Sequence, residues 1–332
     1  MSFDPHALDD FFETVHYVRP TRKVDLRNVN VHVCKADDTR TSPTKRYVLD
    51  HETAFANTLH KAMRDALPQV AAQVQKAFEI YSRKASSSSS KVDLRSFFKV
   101  SPSTAEVDYI LERIDLSGYS KSMVNALRGE IANAFEAGRV SGAQMLGVIL
   151  HEHKALEQVH EQAQEWAMDR AAELVGMSRD SDTGELIENP DASMSITETT
   201  REDLRDEVEN AIEKGLSAKE LADNIQSNVE NLAGWSRSRA ETIARTELVY
   251  ANVRGNLNQW TEMGAGGKES ILADSHDIDD ECDDAADEGP VPLDFVYSSG
   301  EVAPPYHPRC LCDLVPYTQA EMAEMADNEG AD

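Results

Sequence analysis

His51-Glu-Thr-Ala-Phe-Ala-Asn-Thr-Leu-His-Lys-Ala-Met-Arg-Asp-Ala-Leu-Pro-Gln-Val-Ala-Ala-Gln-Val-Gln-Lys-Ala-Phe-Glu-Ile-Tyr81 decides the fold class. Phe55, Leu59, Ala62, Met63, Ala66, Leu67, Val70, Val74, Ala77, Phe78 and Tyr81 step by threes and fours, laying one apolar stripe along an amphipathic helix. Pro68 lacks a backbone donor and crowds the turn before it, so the helix, drawn over residues 51–85, is expected to kink or divide there. Before it, residues 1–50 read as an irregular N-terminal arm with a partly alternating, strand-like piece from Val24 to Val33. After it, the serine run Ser86 to Ser90 is too polar for a core and marks a linker over 86–92.

Further along, residues 93–177 read as a helical middle region, with Gly118, Gly138 and Gly147 at turns or helix ends. A long polar helix is expected from His151 through Gly176, with Trp166 and Leu174 among its apolar anchors. His151 and His153 point about 200° apart on a helix, so they lack the four-residue spacing of a His-Glu-x-x-His zinc site. Residues 178–198 are turn-rich and form a loop. Three capped helices follow. Thr199-x-x-Glu202 is a capping box for the first, which Gly215 stops; Ser217-x-x-Glu220 opens the second, running to about Gly234. The third spans Ser236 to Trp260 and ends at Gly264. Ser270–Leu272, Phe295–Tyr297 and Cys310–Val315 read as three short strands of an antiparallel sheet, and 318–332 as a polar tail. The class is mainly α: helices over the N-terminal two-thirds, then a small α+β domain over 199–317.

Composition narrows the function classes. The chain has 332 residues and a net charge of −27. Residues 1–100 hold 16 basic and 12 acidic groups; the remaining 232 hold 17 and 48. So acidic a surface disfavours broad phosphate-backbone binding, which works by Lys/Arg neutralisation, and leaves the N-terminal third as the part suited to nucleic acid or an acidic partner. No apolar run approaches the roughly 18 residues of a membrane span, and the acidic start is unlike a signal peptide. Four cysteines are too few to staple this length, so a reducing compartment is the default.

The strongest local signal is Pro304-Pro-Tyr-His-Pro-Arg-Cys-Leu-Cys312. Cys310 and Cys312 are two apart and would share a face of a strand, and His307 sits in a proline-framed turn that could fold its ring over them. Cys282 would complete a Cys₃His set, a normal complement for structural zinc. Buried thiols acting as small hydrophobes, or a disulfide, are the other readings of the same spacing. Around Cys282, Asp274 to Glu288 carries nine carboxylates in fifteen residues. An EF-hand counted from Asp277 fails because its glycine position is Cys282, so a solvated acidic loop is expected. Upstream, in Arg239-Ala-Glu-Thr-Ile-Ala-Arg-Thr-Glu-Leu-Val-Tyr-Ala-Asn-Val-Arg-Gly255, Arg245 and Asn252 share a helix face and Glu241 can pair with Arg245. The favoured reading is a polar docking seam; an acid/base site is the alternative.

Arg239-Ala-x-x-Ile-Ala-Arg-Thr-Glu247, Ala251-Asn252 and Gly255, an Asp-rich loop, and Pro304-Pro-x-His-Pro-x-Cys-x-Cys312, in that order, resemble the Mu F-like phage head morphogenesis (minor capsid) family. The resemblance covers about residues 199–317. It implies a virion protein, assembled in the host cytoplasm and placed inside a tailed-phage head at the portal vertex. The portal protein is then the first partner, with major capsid or scaffold protein and packaged DNA as further ones, the DNA through the N-terminal third; no membrane is involved. Arg239, Arg245, Thr246, Glu247, Asn252 and Gly255 become a structural motif, and no residue is assigned catalysis. The family's loop often has Cys-x-x-Cys, but the second position here is Ala285, which leaves Cys282, His307, Cys310 and Cys312 for one structural zinc. The competing class is a metal-dependent hydrolase of DNA or capsid protein, although a closed Cys₃His set lacks the open position that such a metal needs.

Overall fold

The computed structural model describes residues 42–87, 104–148, 153–189, 195–227, 236–273 and 280–329. These are mostly helical, as the apolar stripe predicts, with two small two-stranded antiparallel sheets. None of the described helices is long and apolar enough to cross a membrane. The chain forms two compact units, each drawn from separated segments: one from His51–Ile131 and Gln164–Arg245, the other from described residues up to Asp50, Ala132–Ala163 and those from Thr246 onward. The strand-like piece at 24–33, most of the serine linker, Cys34, and the side chains of His151 and His153 lie outside the described residues.

The first unit takes α1 (Pro43–Ser87) from His51 on, where it buries Phe55, Leu59, Met63, Leu67, Val70, Val74, Ala77 and Phe78 on one face. The helix begins at Pro43, where a proline's missing N–H costs no bond, and Ser42 Oγ accepts from Lys45 N–H at 3.1 Å. Pro68 does not divide it. That residue sits on the exposed face, so the carbonyl it fails to bond can be hydrated. Then come α2 (Thr104–Leu111), α3 (Ser117–Met145) and α4 (His153–Leu174). Within this unit α4 buries Ala167, Ala171 and Ala172, whereas Trp166 and Leu174 are only half-buried, so small side chains are its anchors.

The expected loop at 178–198 contains a hairpin, β1 (Met177–Arg179) with β2 (Leu186–Glu188). Asp180 Oδ1 accepts from the N–H groups of Asp182 and Thr183 and Gly184 takes φ 72°, which closes the turn. The next helix, α5 (Ile196–Lys214), starts earlier than Thr199. Its cap is Ser195, whose hydroxyl accepts from Glu198 N–H at 3.0 Å, while Thr199 and Thr200 already bond back to carbonyls four residues behind. Gly215 ends it at φ 65°, as expected. The Ser217/Glu220 box forms at α6 (Ala218–Ser227), Glu220 Oε2 accepting from Ser217 N–H at 2.8 Å.

In the second unit, α7 (Arg237–Met263) crosses α3 with backbone against backbone. A Cβ on Gly138 would lie 1.9 Å from the Asn252 carbonyl oxygen, and one on Gly255 2.1 Å from that of Phe135. Gly138 therefore marks no turn: it sits inside α3 because only hydrogen fits there. Trp260 Nε1–H donates to Gly142 O at 3.0 Å across the same crossing, and Gly264 closes α7 at φ 71°.

Beyond it, β3 (Gly267–Ile271) pairs with β4 (Asp313–Tyr317) in antiparallel register, Gly267 opposite Tyr317 and Ile271 opposite Asp313. Phe295–Tyr297 is no strand. Only Val291 bridges to Lys268; the chain then turns, with Tyr297 N–H on Glu301 O. Buried Lys268 holds that turn, its Nζ donating to the carbonyls of Leu293 at 2.7 Å and Phe295 at 2.8 Å. Two directed bonds replace the ladder that a third strand would have supplied. Half of the expected acidic loop is instead helix α8 (Glu281–Asp287), because Asp280 caps it in a capping box and acidic residues suit its first turn. The expected tail carries α9 (Gln319–Glu329), begun by a Thr318/Glu321 pairing.

Candidate metal centre

Three pieces of the second unit converge on the cysteines. Ala273 leaves β3, Cys282 rides on α8, and Cys310 and Cys312 lie just ahead of β4, not on it. Ala273, Cys282, Cys310 and Cys312 form one buried cluster, with Tyr306 and Leu311 packed against it. The sulfurs of Cys282, Cys310 and Cys312 all lie within 4.8 Å of one another, and Cys282 Sγ is 3.6 Å from Cys310 Sγ. These three free thiols stand at a spacing compatible with thiolate ligation of one metal.

Their electrostatics point the same way. Hydrogen bonds from the Cys282 thiol and then the Cys312 thiol hold Cys310 far below the ordinary thiol range, against burial, and Cys312 N–H also donates to it at 3.4 Å. Cys282 is pushed well up, first by its bond to Cys310, next by that to Cys312, then by burial. At Cys312 the Cys282 thiol lowers the value, but the bond to Cys310 and burial outweigh it. Three adjacent thiolates in a dry pocket need a cation, so metal binding would be coupled to release of thiol protons.

His307 stands beside this set. A second triad, Asp280, Cys282 and His307, also has its ligand atoms within 4.8 Å, so the expected four do not form one group: the three cysteines cluster, and His307 meets them only at Cys282, together with Asp280. His307 Nδ1 lies 2.9 Å from the Pro308 carbonyl, which fits an Nδ1–H donor and leaves Nε2 with the lone pair. Nε2 is buried, makes no hydrogen bond and sits 3.5 Å from Asp280 Oδ2. A lone pair facing a carboxylate is repulsive unless a proton or a metal ion lies between. Asp280 was missed in the sequence; its signal is a helix-cap aspartate two residues before the inward cysteine, whose carboxylate accepts from Cys282 N–H at 2.8 Å.

The helix motif is engaged throughout. Arg245 forks onto Glu52 at 2.5 and 2.7 Å, not onto Glu241, which pairs with Arg237 at 2.9 Å. That bond to Glu52 raises the Arg245 pKa further, whereas burial lowers that of Arg239, which lies near Tyr119 and Asp203. Thr246 Oγ1 accepts from Arg309 N–H at 3.0 Å, and Arg309 holds φ 67°, so the helix motif braces the loop that presents Cys310. Glu247 and Asn252 are buried. Asn252 Nδ2 donates to Ala134 O at 3.2 Å, and its Oδ1 accepts from Thr44 Oγ1 at 2.7 Å. Gly255 is the close-packing point on α3. Comparison of the chain with family models, curated proteins and solved structures returns no match.

Proposed function

We propose that this chain is a minor capsid protein of a tailed bacteriophage, carried inside the head at the portal vertex, with a structural and not a hydrolytic role. One observation supports it above the others: the two motifs that resemble the head morphogenesis family meet in the bond from Arg309 N–H to Thr246 Oγ1. The polar residues of the helix motif brace neighbouring backbone and side chains, which is the behaviour of a docking seam. In this reading Cys282, Cys310 and Cys312 hold one zinc and His307 supplies the fourth ligand through Nε2, Asp280 being the competing donor. The metal supplies a cross-link between α8 and the segment before β4. The N-terminal third, with its basic excess, meets the portal protein, the capsid or scaffold protein, or packaged DNA.

The test is on particles. Heads of the phage that encodes the chain are purified on a density gradient, its copies per particle counted by mass spectrometry, and its position read by cryo-EM without imposed symmetry. Few copies at a single vertex are expected. Absence from particles, or even occupancy of all vertices, overturns the assignment.

A further inference from the structure

We infer that Cys282 and Cys310 form a reversible disulfide when the metal is absent, leaving Cys312 a free thiol. Their sulfurs are 3.6 Å apart, so closing to about 2.05 Å asks for a shift of roughly 1.5 Å. Cys282 sits in the first turn of the short helix α8, and Cys310 in a loop ahead of β4, so neither is locked within a strand. Two alternative pairs remain. Cys310 and Cys312 are separated by one residue, so a bond between them would close a very small, strained ring. A Cys282–Cys312 bond would turn Cys312 Sγ away from Ala273 N–H, from which it accepts at 3.5 Å.

The chemistry balances with a peroxide as oxidant. The Cys310 sulfur displaces hydroxide from hydrogen peroxide and becomes a sulfenic acid, its thiol proton leaving with that hydroxide as water. The Cys282 sulfur then displaces hydroxide from Cys310, and its own proton leaves in the second water. Two thiols and one peroxide give one disulfide and two waters. Because all three sulfurs are buried, the oxidant reaches them through local opening. Zinc and the disulfide exclude each other, since the bond consumes two of the three thiolate ligands. The same join between α8 and the segment before β4 is thereby kept by metal in a reducing compartment and by a covalent bond in an oxidising one. Only the exclusion by zinc rests on the proposed metal site; the pairing itself rests on the sulfur geometry.

The experiment uses the full chain, stripped with chelator and exposed to a small excess of hydrogen peroxide. Trypsin, cutting after Lys268 and Arg309, places Cys282 in peptide 269–309, Cys310 and Cys312 together in 310–332, and Cys34 in 28–35. Expected is a link between 269–309 and 310–332 that fragmentation assigns to Cys310 and that dithiothreitol reverses. Cys312→Ser should keep it and Cys310→Ser should lower it at least tenfold. A link that fragmentation assigns to Cys312, a ring within 310–332, a link to 28–35, or an undiminished yield in Cys310→Ser overturns the pairing, and the wild-type map decides this even if a variant fails to fold. Zinc-loaded protein should form the link at least tenfold more slowly. An equal rate, with the pairing intact, removes the exclusion and the metal site with it.

Discussion

Between Phe135 and Trp260 the chain is held by backbone lying on backbone; between Gly267 and Tyr317 it is held by a few directed bonds. At the α3–α7 crossing, hydrogen atoms of Gly138 and Gly255 face carbonyl oxygens where no carbon fits. Around the cysteines, two five-residue strands, the Lys268 ammonium and three sulfurs share the task. A sheet that small is marginal without support from another element or a cross-link. The first region therefore fails on volume and the second on chemistry, and substitutions separate them.

The largest effect is expected at the crossing. Gly255→Ala pushes a methyl to 2.1 Å from a backbone oxygen that belongs to a helix and cannot step aside. Urea unfolding should show a loss of roughly 4 kcal/mol or more, since the helices must separate. A loss under about 1 kcal/mol would mean that the crossing is looser than described. Next comes Asn252→Ala, which removes a donor to the Ala134 carbonyl and one of the two acceptors of the Thr44 hydroxyl, Asp313 being the other, in a buried site. Equilibrium unfolding should register about 1–3 kcal/mol.

On the sulfur side, Lys268 offers a pH test. Burial first, then the charge of Arg254, lowers its pKa from 10.5 to about 8. Between those values the unfolded chain binds more protons than the folded one, so this group's contribution to stability rises with pH across that window. The stability of wild type relative to Lys268→Met should increase from pH 7.5 to 10; a flat difference sinks the claim that the charged form is penalised. The smallest effect is a control for the first. Gly129 is an exposed residue inside α3 with nothing within 4 Å of its missing Cβ, so Gly129→Ala should stabilise by about 0.5–1 kcal/mol.

That pair of glycines also shows what the sequence could and could not say. Gly129, Gly138 and Gly147 look alike in the chain. One is an exposed helix position, one a backbone contact, and one a positive-φ end, and only the partner helix distinguishes the first two. The α1 stripe was legible because one face is buried along its length, and Gly215 and Gly264 were legible because a left-handed helix end favours glycine. Local caps were legible only in part: Ser217 was read correctly, whereas Ser195 also fits the pattern and wins over Thr199. Phe295–Tyr297 has strand composition, yet the Lys268 side chain satisfies its carbonyls in place of a ladder. The grouping of Cys282 with Cys310 and Cys312 was readable from their lying within 31 residues of one another, apart from Cys34. The place of His307 with Asp280 did not, because it depends on where a helix cap falls in space.

The central claim is that the cysteine cluster cross-links the small sheet by binding metal, and zinc content measured together with hydrogen exchange tests it most directly. Protein purified without chelator should carry close to one zinc per chain. On its removal, amides of β3 and β4 should exchange at least tenfold faster while those of α7 beyond Asn252 stay protected. Less than about a tenth of a zinc per chain, or unchanged exchange after chelation, would contradict it and leave three ordinary buried thiols.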